Sequence, residues 1–341
     1  MRLKHLIFIF FAILFSIILF TGFLFYKNVF KPIETNYPAI VYVPTGANIE
    51  QVCDTLRKYG LVAHPKLFYF VSKQKNYKVK PGRYVFTKPI SLNNLINILR
   101  LGNQSPVLVR FNSGIVNVEK LAEKLTKNLE ITADSLLVLL RDKTFLKELG
   151  FDENTILAMF IPNTYELYWN TSAKDLILRM KREYLKFWNG ERDRKAKLIG
   201  LSRVEVSTLA SIVCKETLKN DEKPLIAGVY LNRLKLGMPL QADPTVIFAN
   251  KAWTAQRVTK KMLQIDSPYN TYKYVGLPPG PICIPDIASI DAVLNYKKHN
   301  FLYFCAKEDF SGYHNFASSY SEHLINAKKY QRALNKLKIY K

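Results

Sequence analysis

Cysteine and histidine are both scarce in this 341-residue sequence, and neither is arranged as a metal site. The cysteines show no CxxC pair and no zinc-like spacing, and the histidines are equally dispersed. No metal and no cofactor is therefore expected. One or two disulfides could form in an oxidising compartment, although single buried thiols are the simpler interpretation. The scattered residues are Cys53, Cys214, Cys283 and Cys305, and His5, His64, His299, His314 and His323.

Several short enzyme motifs are also missing. The sequence has no glycine-rich phosphate loop and no GxSxG nucleophile elbow. It has no internal repeat and no low-complexity tract. These absences argue against a phosphate-loop nucleotide site, a nucleophile-elbow hydrolase and a solenoid.

Acidic residues are few relative to basic ones. Lys and Arg number 50 against 27 Asp and Glu, which gives a formal charge of +23. Such an excess indicates an anionic partner, whether membrane lipid, cell-wall polymer or nucleic acid. Apolar residues make up 48% of the chain and aromatic residues 13%, which is typical of a globular protein. The length is sufficient for two domains of ordinary size.

Apolar sequence is abundant at the N-terminus. Residues 6–26 read LIFIFFAILFSIILFTGFLFY, an uncharged run long enough to span a bilayer. A cleaved signal peptide is the alternative, but its apolar core would be shorter and small residues would follow it. We therefore expect residues 1–31 to form a cytoplasmic stub and a single transmembrane anchor in the cell (inner) membrane. The slight excess of positive charge before the run predicts that the chain after it lies on the extracytoplasmic, or periplasmic, side. This location disfavours nucleic acid as the partner.

A linker at residues 32–38 is predicted to lead to a small basic module at residues 39–104. AIVYVPTG alternates like a strand, and NIEQVCDTLRKYGL is predicted to be a helix with Asn48 as N-cap and Gly60 as C-cap. HPKLFYFVSKQKN is predicted to be a second helix, and SLNNLINILRLGN a third, which is capped by Ser91 and stopped at Gly102. YKVKPGRYVFT is predicted to be a strand pair broken at Pro81 and Gly82. The lysines of this module either form a solvated face or contact lipid headgroups or a wall polymer.

Residues 105–341 are predicted to form a larger, helix-rich α+β domain. VLVRF reads as a strand, and FIPNTYELYWN breaks the helical pattern with β-favouring aromatic residues. One long basic helix is predicted to start at Ala173, and Ser202 with Glu205 forms a capping box for the next helix. DEKPLIAGVYLNRLKLGM is a further helix. The chain beyond it is expected to be loop-rich until SSYSEHLINAKKYQRALNKLKIYK, which reads as one amphipathic helix.

One acidic residue continues an apolar helix face. Val206, Leu209 and Val213 fall at helical spacing, and Glu216 occupies a later position of the same stripe. A carboxyl group held among apolar neighbours has a raised pKa and can donate a proton near neutral pH, as the acid of lysozyme does. The spacing alone leaves two alternatives open: a solvated glutamate at the helix end, or one paired with Lys219.

Polar residues gather in the segments that follow Glu216. Sugar sites are built from amides, carboxylates and aromatic rings, and these segments supply all three among hydrophobic positions. A capped helix and a proline-rich surface loop would explain the same composition, so both interpretations stay open. The residues are Asn232, Arg233, Gln241 and Asp243 in the first segment, and Asn270, Thr271 and Tyr272 in the second.

These segments resemble the signature blocks of the YceG-like (MltG) endolytic murein transglycosylases. LASIVCKET, VYLNRLKLGMPLQADPTVIFA and SPYNTYKYVGLPPGPICIP occur in the family's order and at similar spacing. FIPNTYELYW looks like the family's Pro-Asp-Thr-Tyr segment, and residues 301–330 resemble its closing block. The small module is similar to the LysM-like module of these proteins. The resemblance covers nearly the whole chain.

The resemblance implies that Glu216 is the catalytic glutamate. Cys214 stands where the family often has another acid, and Asn163 replaces the usual aspartate, so a charge-based role is not expected at either position. The residues that match the family's polar motif positions are implied to bind glycan or to orient the glutamate; they are Asn232, Gln241, Asp243, Asn270, Tyr272 and His314.

The implied activity is that of a lytic transglycosylase. It would cleave MurNAc–GlcNAc bonds within nascent peptidoglycan strands, leave 1,6-anhydroMurNAc ends, and so terminate glycan polymerisation. Its partners would be peptidoglycan strands, the membrane and peptidoglycan synthases, with no nucleic acid. Two alternatives stay open. One is a two-carboxylate hydrolase in which Asp243 faces Glu216 as nucleophile or base. The other is a non-catalytic, membrane-tethered glycan-binding module that recruits a synthase.

Overall fold

A computed structural model describes residues 2–255 and 257–336 of the protein. The described chain is mixed α+β and rich in helix, which confirms the expected fold class. It divides into two compact units. The smaller contains the chain up to Leu108 with Asn128–Glu130 and Glu166–Thr171, and the larger contains Val109–Lys127, Ile131–Tyr165 and the chain from Ser172 onward.

The first element of the smaller unit is the apolar helix α1 (Arg2–Phe30). An 18-residue window within its segment Leu3–Phe30 has a mean hydropathy of 2.8, and its large apolar side chains are exposed almost throughout. Length and composition therefore make α1 able to cross a membrane, consistent with the predicted single-pass anchor. Met1, which belongs to the predicted anchor segment, lies outside the described residues.

The rest of the smaller unit is built around two antiparallel strand pairs. Its elements are β1 (Pro32–Ile33), β2 (Ala39–Val43), α2 (Ile49–Lys58), α3 (Pro65–Gln74), β3 (Gly82–Phe86), β4 (Ile90–Ser91) and α4 (Leu92–Leu101). Strand β2 pairs with β3, and β1 pairs with β4. The helices begin and end where the sequence predicts: Asn48 forms a capping box with Gln51, and Gly102 ends α4 in the left-handed conformation.

One prediction for this unit is wrong. YKVKPGRYVFT forms a single strand, β3, and the residues before Pro81 are not in a strand. The partner of β3 is β2, which precedes it by two helices, so no local hairpin forms. The sequence pattern within one segment does not show which distant strand that segment will pair with. The two elements share a core with α2, α3 and α4.

From residue 107 onward the chain is mainly helical. Its elements are β5 (Val107–Phe111), α5 (Val118–Thr126), α6 (Ala133–Leu140), α7 (Lys143–Glu148), β6 (Asn163–Leu167), α8 (Ala173–Phe187), α9 (Gly190–Leu198), α10 (Arg203–Glu216), α11 (Lys223–Lys235), α12 (Asp243–Ala249), α13 (Ile287–Leu294), β7 (Tyr303–Ala306), β8 (His314–Ala317) and α14 (Tyr320–Lys336). Strand β5 pairs with β6, and β7 pairs with β8 as an antiparallel hairpin.

Two expectations for this part of the chain need correction. The predicted long basic helix is two helices, because the side chain of Asn189 accepts the backbone N–H of Arg192 and starts α9 there. The segment expected to be loop-rich contains α12, α13 and the β7–β8 hairpin. The terminal helix is described to Lys336, and residues 337–341 of the predicted helix lie outside the described residues.

Helix α10 is the central helix of the larger unit. It is buried on every side from Val206 to Val213, rather than along one apolar stripe, and it packs against α11, α12 and α13. Its buried hydroxyl groups stay satisfied because Ser207, Thr208 and Ser211 donate to carbonyl groups of the preceding turn. The helix thus carries its last residue, Glu216, from the core to the edge of a cleft.

Candidate active site

Glu216 is the last residue of α10 and lines a cleft of about 380 Å³ in the larger unit. The helix begins at the predicted capping box of Ser202 and Glu205. The carboxyl group is partly buried, and the hydroxyl of Tyr230 on α11 donates a hydrogen bond of 2.6 Å to its Oε1 atom. No ion pair to Glu216 forms within the described chain, so the lysine-paired alternative does not match the structure. The hydrogen bond from Tyr230 argues against a fully solvated carboxylate.

The environment of Glu216 favours its neutral form. Burial raises the pKa of Glu216 to about 7, and the nearby charge of Asp243 acts in the same direction. The hydrogen bond from Tyr230 acts in the opposite direction because it stabilises the carboxylate. A carboxyl group with a pKa near 7 can donate a proton and then accept one at neutral pH.

A second carboxyl group, that of Asp243, lines the same cleft from the first residue of α12. The hydroxyl of Tyr272 donates a hydrogen bond of 2.5 Å to its Oδ1 atom. Gln241 lines the cleft beside it and has a φ of +52°, in the left-handed region that non-glycine residues seldom adopt. Each carboxyl group of the cleft therefore has one tyrosine partner.

The loop around the buried residues Asn270 and Thr271 holds the segment that carries Gln241 and Asp243. Asn270 is 0% exposed, and its amide donates to the carbonyl groups of Leu263 and Ile265 while its oxygen accepts the N–H of Tyr272. The carbonyl of Thr271, the next residue, accepts the N–H of Gln241. These bonds fix the loop on which Tyr272 lies and tie it to the start of α12.

Asn232 and Arg233 on α11 also hold backbone segments in place through their side chains. The amide of Asn232 donates to two backbone carbonyl groups, those of His299 and Phe301, in the chain that leads into β7. The guanidinium of Arg233 donates to the carbonyl groups of Leu302 and Leu240. Asn232 and Asn270 do not line the cleft, so a direct contact of either with a ligand stays a prediction.

His314, the first residue of β8, also lines the cleft. Its Nδ1 atom lies 2.7 Å from Oε2 of Glu222, and its backbone N–H donates to Oε1 of the same carboxyl group at 2.8 Å. The structure thus brings together Glu216, Gln241, Asp243, Tyr272 and His314 around one cavity.

The sequence did not single out several residues of this cavity. Aromatic rings form much of its wall, and their positions depend on the β7–β8 hairpin and on α14, which local pattern does not place relative to α10. The residues missed as candidates are Tyr230, Tyr303, Phe304, Tyr320 and His323, together with the supporting Glu222. The pattern YLNRL, which places Tyr230 three residues before Arg233 on α11, was the available signal for Tyr230.

The positions at which the sequence departs from the family pattern lie away from this chemistry. The thiol of Cys214 donates to Asp286 at 3.2 Å, and Cys214 is not among the residues that line the cleft. Asn163 is exposed in β6. All four cysteines are free thiols, and the described residues contain no group of three side chains able to hold a metal ion.

A partly buried acid beside a second carboxyl group and several aromatic rings is typical of enzymes that do acid–base chemistry on carbohydrates. The chain belongs to the YceG-like family, because the sequence model of that family matches residues 41–329. This confirms the resemblance drawn from the sequence blocks.

Individual relatives agree with the family assignment. A Streptococcus pneumoniae (strain D39) protein named endolytic murein transglycosylase is 30% identical over 313 residues, which cover 81% of this chain and 56% of that protein. The chain therefore spans just over half the length of this relative. A Bacillus subtilis (strain 168) protein of the same name is 28% identical over 335 residues, covering 92% of this chain and 91% of that one.

A solved structure supports the fold. The crystal structure of a yceG-like protein from Listeria monocytogenes matches 84% of this chain and 98% of its own, with a TM-score of 0.57 and 26% sequence identity. The mixed α+β architecture is thus shared with a family member.

Proposed function

We propose that this protein is a membrane-anchored endolytic murein transglycosylase. It would cleave MurNAc–GlcNAc bonds within nascent peptidoglycan strands and leave 1,6-anhydroMurNAc ends. The observation that carries the proposal is the state of Glu216, a partly buried carboxyl group with a pKa of about 7 in a cleft lined with aromatic rings. The names of the Streptococcus and Bacillus relatives support the choice of substrate.

In the proposed reaction Glu216 first acts as a general acid. Its carboxyl proton passes to the bridging oxygen as the bond from that oxygen to C1 of the muramic acid breaks. Positive charge then develops at C1, as in other glycoside cleavages. The hydroxyl of Tyr230 stabilises the carboxylate that this step leaves behind.

Glu216 then acts as a base on the C6 hydroxyl of the same muramic acid. Its carboxylate takes the proton of the C6 hydroxyl, and the oxygen of that hydroxyl forms a bond to C1, which closes the 1,6-anhydro ring without consuming water. An internal nucleophile is already positioned, so a second carboxylate that activates water is not required. One glutamate that donates and then accepts a proton matches a pKa near 7.

The other residues of the cleft would bind the glycan. We assign sugar contacts to Gln241, Asp243, Tyr272 and His314, whose side chains line the cavity. Asn232 and Asn270 would act by holding the segments that carry these residues.

The remaining parts of the chain would place the cleft near the membrane. We propose the division predicted above: an anchor at residues 1–31, a linker at 32–38, a LysM-like glycan-binding module at 39–104 and the catalytic domain at 105–341. The proposed location is the cell (inner) membrane, with the catalytic domain on the extracytoplasmic side. A tethered site meets nascent strands at a raised effective concentration, so cleavage would set where synthesis stops, beside a peptidoglycan synthase.

A hydrolase is the second candidate, and the presence of Asp243 in the same cleft favours it. Asp243 would activate a water or form a covalent intermediate, and the product would carry a reducing end. A non-catalytic module that binds glycan and recruits a synthase is the third. In that case the carboxyl group of Glu216 would not be required.

The test is digestion of purified glycan strands by the full-length protein in detergent, followed by mass spectrometry of the new ends. Glu216→Gln is compared with wild type and with Glu123→Gln, which changes an exposed glutamate without a hydrogen-bond partner in the described chain. Internal cuts with anhydro ends, lost only in Glu216→Gln, are expected. Products heavier by one water would make the protein a hydrolase, and no cleavage by wild type would favour the binding module.

A further inference from the structure

One buried carboxyl group beside the cleft has no role in the proposed reaction. Glu222 directly precedes α11 and is 3% exposed. Its Oε1 atom accepts the backbone N–H of His314 at 2.8 Å, and its Oε2 atom lies 2.7 Å from Nδ1 of the same residue. The hydroxyl of Thr217 donates a longer bond of 3.4 Å to Oε2. A buried carboxyl group that contacts one histidine through both oxygens fixes that residue in place.

This pair is connected to the acid of the cleft. Thr217 follows Glu216 directly and ends α10. On the other side, the ring of Phe304 makes edge contacts with the ring of His314 at 5.3 Å and with the ring of Tyr230, the partner of Glu216, at 5.8 Å. Glu222 is therefore positioned to set the orientation of the His314 ring relative to Glu216.

The hydrogen bonds also determine which ring nitrogen is left for a ligand. Both oxygens of Glu222 accept hydrogen bonds from other groups, so Nδ1 of His314 carries the hydrogen between Glu222 and the ring. In the neutral ring Nε2 is then a hydrogen-bond acceptor. No partner of Nε2 exists within the described chain, and the ring lines the cleft.

We propose that Glu222 is a positioning residue that holds His314 with Nε2 turned to the cleft, where Nε2 accepts a hydrogen bond from a hydroxyl group of the bound sugar. The inference deepens the proposed function and rests on it for the identity of the sugar. Glu222 itself does not touch the substrate. It acts only through the tautomer and the orientation of His314.

Glu222→Gln gives a sharp test because it keeps size and removes one acceptor. If the amide oxygen accepts the backbone N–H of His314, the NH₂ group faces Nδ1, which must then become an acceptor. Nε2 would carry the hydrogen and could no longer accept from the sugar. Asp221→Asn is the matched control. Asp221 directly precedes Glu222, and its carboxyl group accepts from the exposed hydroxyl of Tyr313, which directly precedes His314.

The first measurement is the ¹⁵N chemical shift of His314 in the full-length protein in detergent, labelled at histidine. The chain has five histidines, so His314→Gln assigns the signal. Wild type and Asp221→Asn should show the Nδ1–H tautomer and a change at Nε2 when a glycan oligomer is added. Glu222→Gln should show the Nε2–H tautomer. Retention of the Nδ1–H tautomer in Glu222→Gln, or no change at Nε2 of wild type with glycan, would refute the proposal.

The second measurement is a double-mutant cycle on the cleavage rate. Glu222→Gln and His314→Gln should each lower kcat/KM by about tenfold or more, the loss expected for one misplaced hydrogen bond. The double variant should be no slower than His314→Gln, because Glu222 acts only through His314. Losses that multiply would show an independent, structural role of Glu222. If wild type does not cleave glycan, the proposed function fails, and the ¹⁵N result alone decides on the pair.

Discussion

Replacement of Tyr230 by phenylalanine tests the electrostatics of the cleft most directly. The Tyr230 hydroxyl donates a 2.6 Å hydrogen bond to Glu216, and this bond lowers the pKa of Glu216 against the larger effect of burial. Tyr230→Phe removes the donor and leaves the ring in place. The carboxylate of Glu216 then loses its stabilising partner, so its pKa must rise further.

The size of the change follows from the hydrogen bond. A hydrogen bond to a charged group contributes about 1.5–3 kcal/mol, and a change of one in pKa corresponds to about 1.4 kcal/mol. Because the carboxyl group of Glu216 is only partly buried, we take the lower end of that range. The pKa of Glu216 should move from about 7 to about 8.

The assay is the pH dependence of kcat/KM for glycan cleavage between pH 5 and pH 10, pH values chosen to bracket the pKa of about 7. A general acid must be protonated, so activity falls as the pH rises through the pKa of Glu216. In Tyr230→Phe this fall in kcat/KM should occur about one pH unit higher. Tyr303→Phe is the control, because it removes a cleft hydroxyl that makes no hydrogen bond within the described chain; the basic limb should stay where it is. A limb that stays or moves to lower pH in Tyr230→Phe would refute the assignment of Glu216 as the acid under the influence of Tyr230.

Three further predictions concern stability and binding. Glu216→Gln should stabilise the protein by up to about 3 kcal/mol at pH 8 and by little at pH 4. The pKa of Glu216 is about 7 in the folded state, above its ordinary value of 4.5. Wild type therefore loses stability as the pH rises from the ordinary pKa to the folded-state pKa. Denaturant unfolding at both pH values checks this, and equal effects at both would contradict it. Gly280→Ala should cost about 3 kcal/mol or more in thermal unfolding, because its Cβ atom would lie 2.0 Å from the carbonyl oxygen of Asn154. Gly276→Ala, where nothing lies within 4 Å but φ is +95°, should cost only about 1 kcal/mol. Asn270→Ala should cost about 2–4 kcal/mol, because it leaves two partly buried carbonyl groups, those of Leu263 and Ile265, without their donor. It should also weaken glycan binding in a titration; binding of wild-type strength would count against its positioning role.

Much of the local structure could be predicted from the sequence because it depends on neighbouring residues. The caps at Asn48, Ser91, Ser202 and Gly102 form as predicted, since a cap is a contact between residues two to four positions apart. The apolar helix α1 follows from composition alone. The break between α8 and α9 was also local, and the capping side chain of Asn189 was the signal that the prediction overlooked.

The site was only partly predictable. Glu216, which lines the cleft, was singled out because its spacing along α10 and the family blocks pointed to the same residue. Its partner Tyr230, 14 residues later, was not found, since a helix pattern does not say which residue of the next helix faces the first. Glu222 and His314 are 92 residues apart, and no local pattern connects them.

By itself, then, the sequence determined the class of the chain, its apolar N-terminal helix, its family and the residue proposed as the acid, because these depend on composition, on short-range spacing and on blocks of consecutive residues. Only the tertiary structure decided the protonation of that acid. The pKa of Glu216 depends on burial, on the hydroxyl of Tyr230 and on the charge of Asp243, which reach the same cleft from different helices. Only the fold likewise decided that the amides of Asn232 and Asn270 hold backbone segments while Gln241 and the aromatic rings line the cavity, because packing between distant segments sets which side of each residue faces a ligand.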